Sequence, residues 1–225
     1  MINFIEVLRS LEAAKVIASE IDYSKYVGLD LSVSNTDLQN TILATAKDYE
    51  IFIQNHLGKN NAKIAYGGYL ERRNLYKRSM VFKNENTNER DIHIGLDLWI
   101  NEAAPIFAAL DGTIHSFQNN DALGDYGPTI ILQHHYENQT FHTLYGHLSL
   151  DSLNDKKVGD FFPKGTPIAT LGLPPTNGDY APHLHFQIII DMQNKLGDYP
   201  GVCSENDLEF YSKNCPNPNL LLKII

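Results

Sequence analysis

Between Arg90 and Ile190 the chain is a succession of short alternating runs: IHIGLDLWI, APIFAAL, GTIHSF, PTIILQHHY, QTFHTLYGHL, TPIATLG and PHLHFQIII. Most are separated by Gly, Pro, Asn or Asp, so each suits a strand ended by turn chemistry. Short strands at this spacing specify an antiparallel all-β core, either a sandwich or an open barrel. The first sixty residues read differently. Phe4, Ile5, Val7, Leu8, Leu11, Ala14 and Ile17 follow a helical spacing over residues 4–20. A second helix is expected from a cap at Asn35 or Thr36 to a stop at Gly58, with Leu38, Ile42, Ala46, Tyr49 and Ile53 on one face. The expected organisation is a helical appendage over 1–60, a connector over 61–89, a β-domain over 90–200 and a C-terminal extension over 201–225. The fold class is mainly β, α+β overall.

Charge and the N-terminus narrow the function classes. Eighteen basic against twenty-seven acidic residues give a formal charge of −9. No basic run is longer than a pair such as Arg72–Arg73, so no nucleic-acid footprint is visible. The opening MINFIEVLRSLEAAKVIASEIDYSKY has no basic start, no unbroken apolar stretch and no small-residue cleavage site. No window approaches the ~18 apolar residues of a membrane span. The expectation is a cytoplasmic chain with no membrane span, unless a longer native chain carries an export signal. Cys203 and Cys215 are expected as free thiols rather than a disulfide.

All the histidines except His56 lie between residues 93 and 185. In His183-Leu184-His185 two imidazoles sit at i and i+2 of a strand, with α-carbons about 6.6 Å apart on one face. His93 and Asp97 of HIGLD are four apart, and in a straight strand their α-carbons would lie roughly 13 Å from each other. That is too far for two ligands with ~2 Å bonds to one metal ion. The chain must therefore bend between them, and Gly95 permits the bend while placing no side chain between the ligands. Two imidazoles and a carboxylate suit one zinc ion with a fourth position left for water. His56, His115, His134, His135 and His142 are read as ordinary hydrogen-bonded or surface histidines.

Taken in order, HIGLDL, PIFAALDGTI, GDYGPTIILQH, LYGHLS, VGDFFPKGTPIATLG and PHLHF resemble the lysostaphin-type, or LytM-like, zinc endopeptidases over about residues 90–190. The resemblance implies a duplicated hybrid motif fold with zinc on His93, Asp97 and His185 and with His147 and His183 as catalytic histidines. It implies a peptide or peptidoglycan-type substrate. With zinc acidifying a bound water, His183 would serve as base, while His147 would stabilise the oxyanion or return a proton. Two departures bear on substrate choice. Gln187 stands where the family commonly has Glu, and the loop GLPPTNGDYAP, expected to wall the groove, is long and proline-rich. The alternative reading is a zinc-binding, non-catalytic peptide-recognition module. A histidine phosphocarrier on the same architecture would leave Asp97 without a role.

Overall fold

The computed structural model describes residues 4–39, 41, 43–74 and 89–224. Its centre is a mixed sheet of eight strands, in the order β1 (Tyr26–Gly28), β2 (Ile64–Gly67), β4 (Leu96–Trp99), β11 (His183–Ile189), β8 (Gln139–Gly146), β7 (Gly127–Tyr136), β6 (Gly112–Asn120) and β9 (Phe161–Phe162). All neighbours are antiparallel except β1 and β2. Two ribbons complete the β-structure, β5 (Pro105–Phe107) with β10 (Pro167–Thr170) and β3 (Ile92–His93) with β12 (Val202–Cys203). The sheet is open at both ends, so the expected mainly β fold holds in its open form.

Period-two alternation sets what each face of the sheet does. On β11, Leu184, Phe186 and Ile188 enter the main core with Leu96 and Leu98 of β4 and Tyr145 of β8. Their neighbours His183, His185 and Gln187 therefore point to the opposite face. The main core is closed by α1 (Phe4–Ser10), by Val16 and Ile17, and by Leu221 and Leu222 of α5 (Asn219–Leu222).

The N-terminal sixty residues are only partly helical. The first helix stops at Ser10, because Ile17 then forms a bridge with Ile106 and becomes part of the β-layer. The expected second helix is divided into α2 (Thr36–Gln39) and α3 (Ala46–Lys59). A capping box starts α3: the Thr45 hydroxyl accepts from Asp48 N–H while the Asp48 carboxylate accepts from Thr45 N–H. Ile53 and Leu57 of α3 pack with Leu29, Leu31, Trp99 and Ala181 in a separate core cluster. β1 and β2 also bring residues on either side of position 60 into the same sheet. The rest of the expected connector, from 75 to 88, lies outside the described residues. The last short helices are α4 (Leu208–Asn214) and α5. Among the described residues no helix is long and apolar enough to cross a membrane.

His134 shows how an ordinary core histidine is handled here. Its Nδ1 lies 2.8 Å from the Asp111 carbonyl and its Nε2 2.7 Å from the Thr143 hydroxyl. A carbonyl can only accept, so Nδ1 carries the proton and Nε2 accepts from Thr143. Burial lowers its pKa to about 4, against ~6.5 for an unfolded chain. Between those values the unfolded state binds a proton that the folded state does not, so stability falls as pH drops from 6.5 to 4 and levels off below. With chelator present, the parent should lose on the order of 3 kcal/mol over this range through His134. Denaturation of His134→Gln should show a correspondingly shallower pH slope. Equal slopes for variant and parent would refute the assignment.

Candidate metal centre

Three donor atoms meet on the outer face of the sheet where β4 and β11 pair. In that register His185 lies opposite Asp97, and His183 opposite Trp99. His93 reaches the same point because the chain leaves the β3 ribbon and enters β4 through Ile94 and Gly95. This is the bend that the HIGLD spacing requires. A β-carbon on Gly95 would lie 2.4 Å from the His185 ring, so only glycine lets the imidazole pack there. His93 Nε2 is 2.9 Å from His185 Nδ1 and 3.2 Å from Asp97 Oδ1, and His185 Nδ1 is 3.1 Å from the same oxygen.

The outer hydrogen bonds fix what these atoms present. His93 Nδ1 donates to the Gly68 carbonyl at 2.9 Å. On the other side, Gln187 Nε2 donates to the Pro200 carbonyl at 3.1 Å, which turns Gln187 Oε1 toward His185 Nε2 at 2.9 Å. An amide oxygen accepts, so His185 carries its proton on Nε2. Two ring lone pairs and one carboxylate oxygen therefore converge with no hydrogen among them. Such a triangle is repulsive unless a cation sits within it. Its edges, 2.9–3.2 Å, come close to the ~3.3 Å between ligand atoms around tetrahedral zinc at ~2.05 Å. The residues fit a metal ion.

Charge supports the same conclusion. Burial would raise the pKa of Asp97, yet His93 and the Arg73 guanidinium hold it well below the usual carboxylate range. Burial lowers His93 to about 4 despite the opposing pull of Asp97. At neutral pH the cluster thus offers an anionic carboxylate beside a neutral imidazole, the protonation states that metal binding requires.

His147 and His183 stand beside the triangle, their ring centroids 4.3 Å apart. Each is tied through Nδ1 to a carbonyl, His147 to Asn177 at 2.9 Å and His183 to Ala181 at 2.7 Å. Nε2 is left as the unprotonated nitrogen of both rings, and that of His183 lies 3.8 Å from Asp97 Oδ1. Burial, with His183 and His185 close by, takes His147 well below the usual histidine range. Burial lowers His183 too, partly offset by Asp97. His147 also adopts a left-handed backbone, φ 65°, a strain of order 1–3 kcal/mol for a non-glycine residue. The backbone pairs that hold it there are its N–H to the Tyr126 carbonyl and its own carbonyl to Gly172 N–H.

The five residues singled out in the sequence therefore come together, at the floor of a groove of about 1000 Å³ counted with its open mouth. Tyr180 and Ala181, from the long proline-containing loop, form part of its lining, as expected of that loop. Leu31, Tyr49 and Ile53 of the N-terminal segment also line it. The other histidines lie apart from the triangle: His56 bonds the Gly28 carbonyl, His135 the Thr140 hydroxyl, and His115 and His142 pack on each other. Cys203 and Cys215 are buried free thiols.

Residues the sequence reading missed surround the site. Arg73 Nη1 lies 2.6 Å from Asp97 Oδ2, and Arg73 Nε pairs with Glu71. The Tyr126 hydroxyl is 3.4 Å from His185 Nε2, and Trp99 stacks on His183. Arg73 falls in the expected connector, in the run ERRN, with no motif around it to mark it.

Residues 91–196 match the model of peptidase family M23. Among solved structures, the catalytic domain of the antimicrobial peptidase lysostaphin from Staphylococcus simulans is 26% identical, with 54% of this chain and 80% of that chain covered and a TM-score of 0.37. LytU is also 26% identical, over 60% and 81%, with a TM-score of 0.37. The catalytic domain of EnpA from Enterococcus faecalis is 20% identical, over 53% and 87%, with a TM-score of 0.38. No curated protein sequence matches. The segment 91–196, in which the HIGLD and HLH motifs meet at one point, is thus similar to peptidase family M23, the lysostaphin-type family that those motifs resemble.

Proposed function

We propose that this protein is a zinc-dependent peptidase in which His93, Asp97 and His185 hold the metal. The observation that carries the reading is the triangle of three acceptor atoms with no proton between them. Bound there, zinc would polarise a peptide carbonyl and bring the pKa of a water toward ~7.

The protein's own groups do the rest. His183 is neutral and has Nε2 bare beside Asp97, so it can take the proton of the attacking water. The Ala181 carbonyl, holding Nδ1–H, steadies the imidazolium that results. His147, fixed the same way by Asn177, presents a second bare Nε2. When the water's proton passes to it from His183, whose ring centroid is 4.3 Å away, it can donate a hydrogen bond to the developing oxyanion and hand that proton to the leaving amine. Tyr180, whose ring packs against both histidines, keeps their planes apart from bulk water. The substrate class is a peptide or a peptidoglycan-type cross-link, in keeping with an antimicrobial peptidase among the similar structures.

Two experiments test this reading. Zinc should bind one per chain, and His185→Ala should abolish it; a variant with full zinc content would remove the ligand assignment. His183→Ala and His147→Ala should keep zinc but lose about 10²–10⁴ in turnover. The double variant should lose less than the product of the two, as expected for groups acting on one transition state. A zinc-loaded parent that binds muropeptides or glycine-rich peptides without cleaving them would instead make the chain a peptide-recognition module.

A further inference from the structure

Arg73 is the only side chain bonded to the second oxygen of the metal-ligand candidate Asp97 among the described contacts, and it is almost fully buried, 2% exposed. Its guanidinium is held on three sides. Nη1 donates to Asp97 Oδ2 at 2.6 Å, Nε donates to the Glu71 carboxylate, and the plane lies over the Trp99 ring with its central carbon 5.6 Å from the centroid. Glu71 is anchored in turn, since its Oε1 accepts from Leu31 N–H at 2.9 Å. The arrangement runs from the N-terminal segment through Glu71 and Arg73 to Asp97.

We propose that Arg73 is a positioning residue for the metal centre, acting through Asp97: by occupying Oδ2, it leaves Oδ1 alone to face His93 Nε2 and His185 Nδ1. A carboxylate on a flexible side chain can otherwise turn and offer both oxygens to a cation. Asp97 cannot turn without giving up a charge-assisted bond in a site nearly closed to water. The fork of a guanidinium matters because it serves two carboxylates at fixed angles, which the single ammonium of lysine cannot do. Arg73 also keeps Glu71, the second carboxylate in the neighbourhood, engaged away from the triangle. The inference rests on the metal-site reading above.

Charge and positioning predict opposite signs. A cation beside a dication repels it, so if charge were all that Arg73 contributed, removing it would tighten metal binding. If Arg73 orients Asp97, removing it loosens binding, as loss of an outer partner of a metal ligand does by 10–100-fold. Arg73→Lys keeps the buried positive charge and limits the risk of unfolding. The probes are Zn²⁺, titrated against a chelator of known affinity, and Co²⁺, whose visible absorption weakens as its coordination number rises above four. Lysine at 73 should weaken zinc binding about 10-fold, and methionine by up to ~100-fold. Both should weaken the cobalt bands relative to the parent. Thermal unfolding followed alongside reports how much of each variant is folded. Zinc affinity and cobalt spectra equal to the parent's in folded Arg73→Lys would overturn the inference, as would tighter zinc binding by folded Arg73→Met. A parent that binds neither ion would overturn the metal-site reading itself, and the inference with it.

Discussion

The pairing of β4 with β11 is the contact on which the site depends. It sets His185 across from Asp97 and His183 across from Trp99. Because side chains alternate, it also sends Leu96, Leu98, Leu184 and Phe186 into the main core. A slip of one residue would exchange the two sets, putting histidines and an aspartate into the core and leucines into the groove. Apolar burial on one face therefore holds in register the polar cluster on the other. The hydrophobic core and the candidate metal centre are two faces of one ladder.

The converging acceptors would be unfavourable without a cation, and the surrounding hydrogen bonds commit them to that state. Gly68 and Gln187 each take up the ring proton that would otherwise relieve the triangle. Gln187 performs this task as a neutral amide, anchored by Pro200. An acidic residue there would accept from His185 as well, while adding a negative charge to a buried site. The Glu-to-Gln difference from the family's usual pattern thus preserves the orientation of His185.

Short-range patterns made much of this legible. HxGxD and HxH each fix two donors within five residues, and Gly95 announced the bend. The runs from Arg90 onward announced the strands. What escaped the sequence depends on distant partners. Ile17 continues a helical apolar spacing, yet its place opposite Ile106 decides its conformation. Thr45 and Asp48 did carry a legible signal, a capping box that divides the second helix, masked by apolar residues spaced regularly on both sides of it. Glu71 and Arg73 lie in a stretch read as a connector, and their role arises only when β2 joins β4. The N-terminal segment meets Trp99 and Ala181 through Leu29, Leu31, Ile53 and Leu57, contacts that have no trace in its own periodicity.

Two imidazoles and one carboxylate are proposed to form the metal centre. X-ray absorption at the zinc edge of the metal-loaded protein tests this assignment most directly, because it reads the ligand shell without any substrate. Nitrogen and oxygen neighbours alone at ~2.0–2.2 Å, with the multiple-scattering signature of two imidazoles, are the expected result. A sulfur shell near ~2.3 Å, placing the metal on Cys203 or Cys215, or a shell without imidazole, would contradict it.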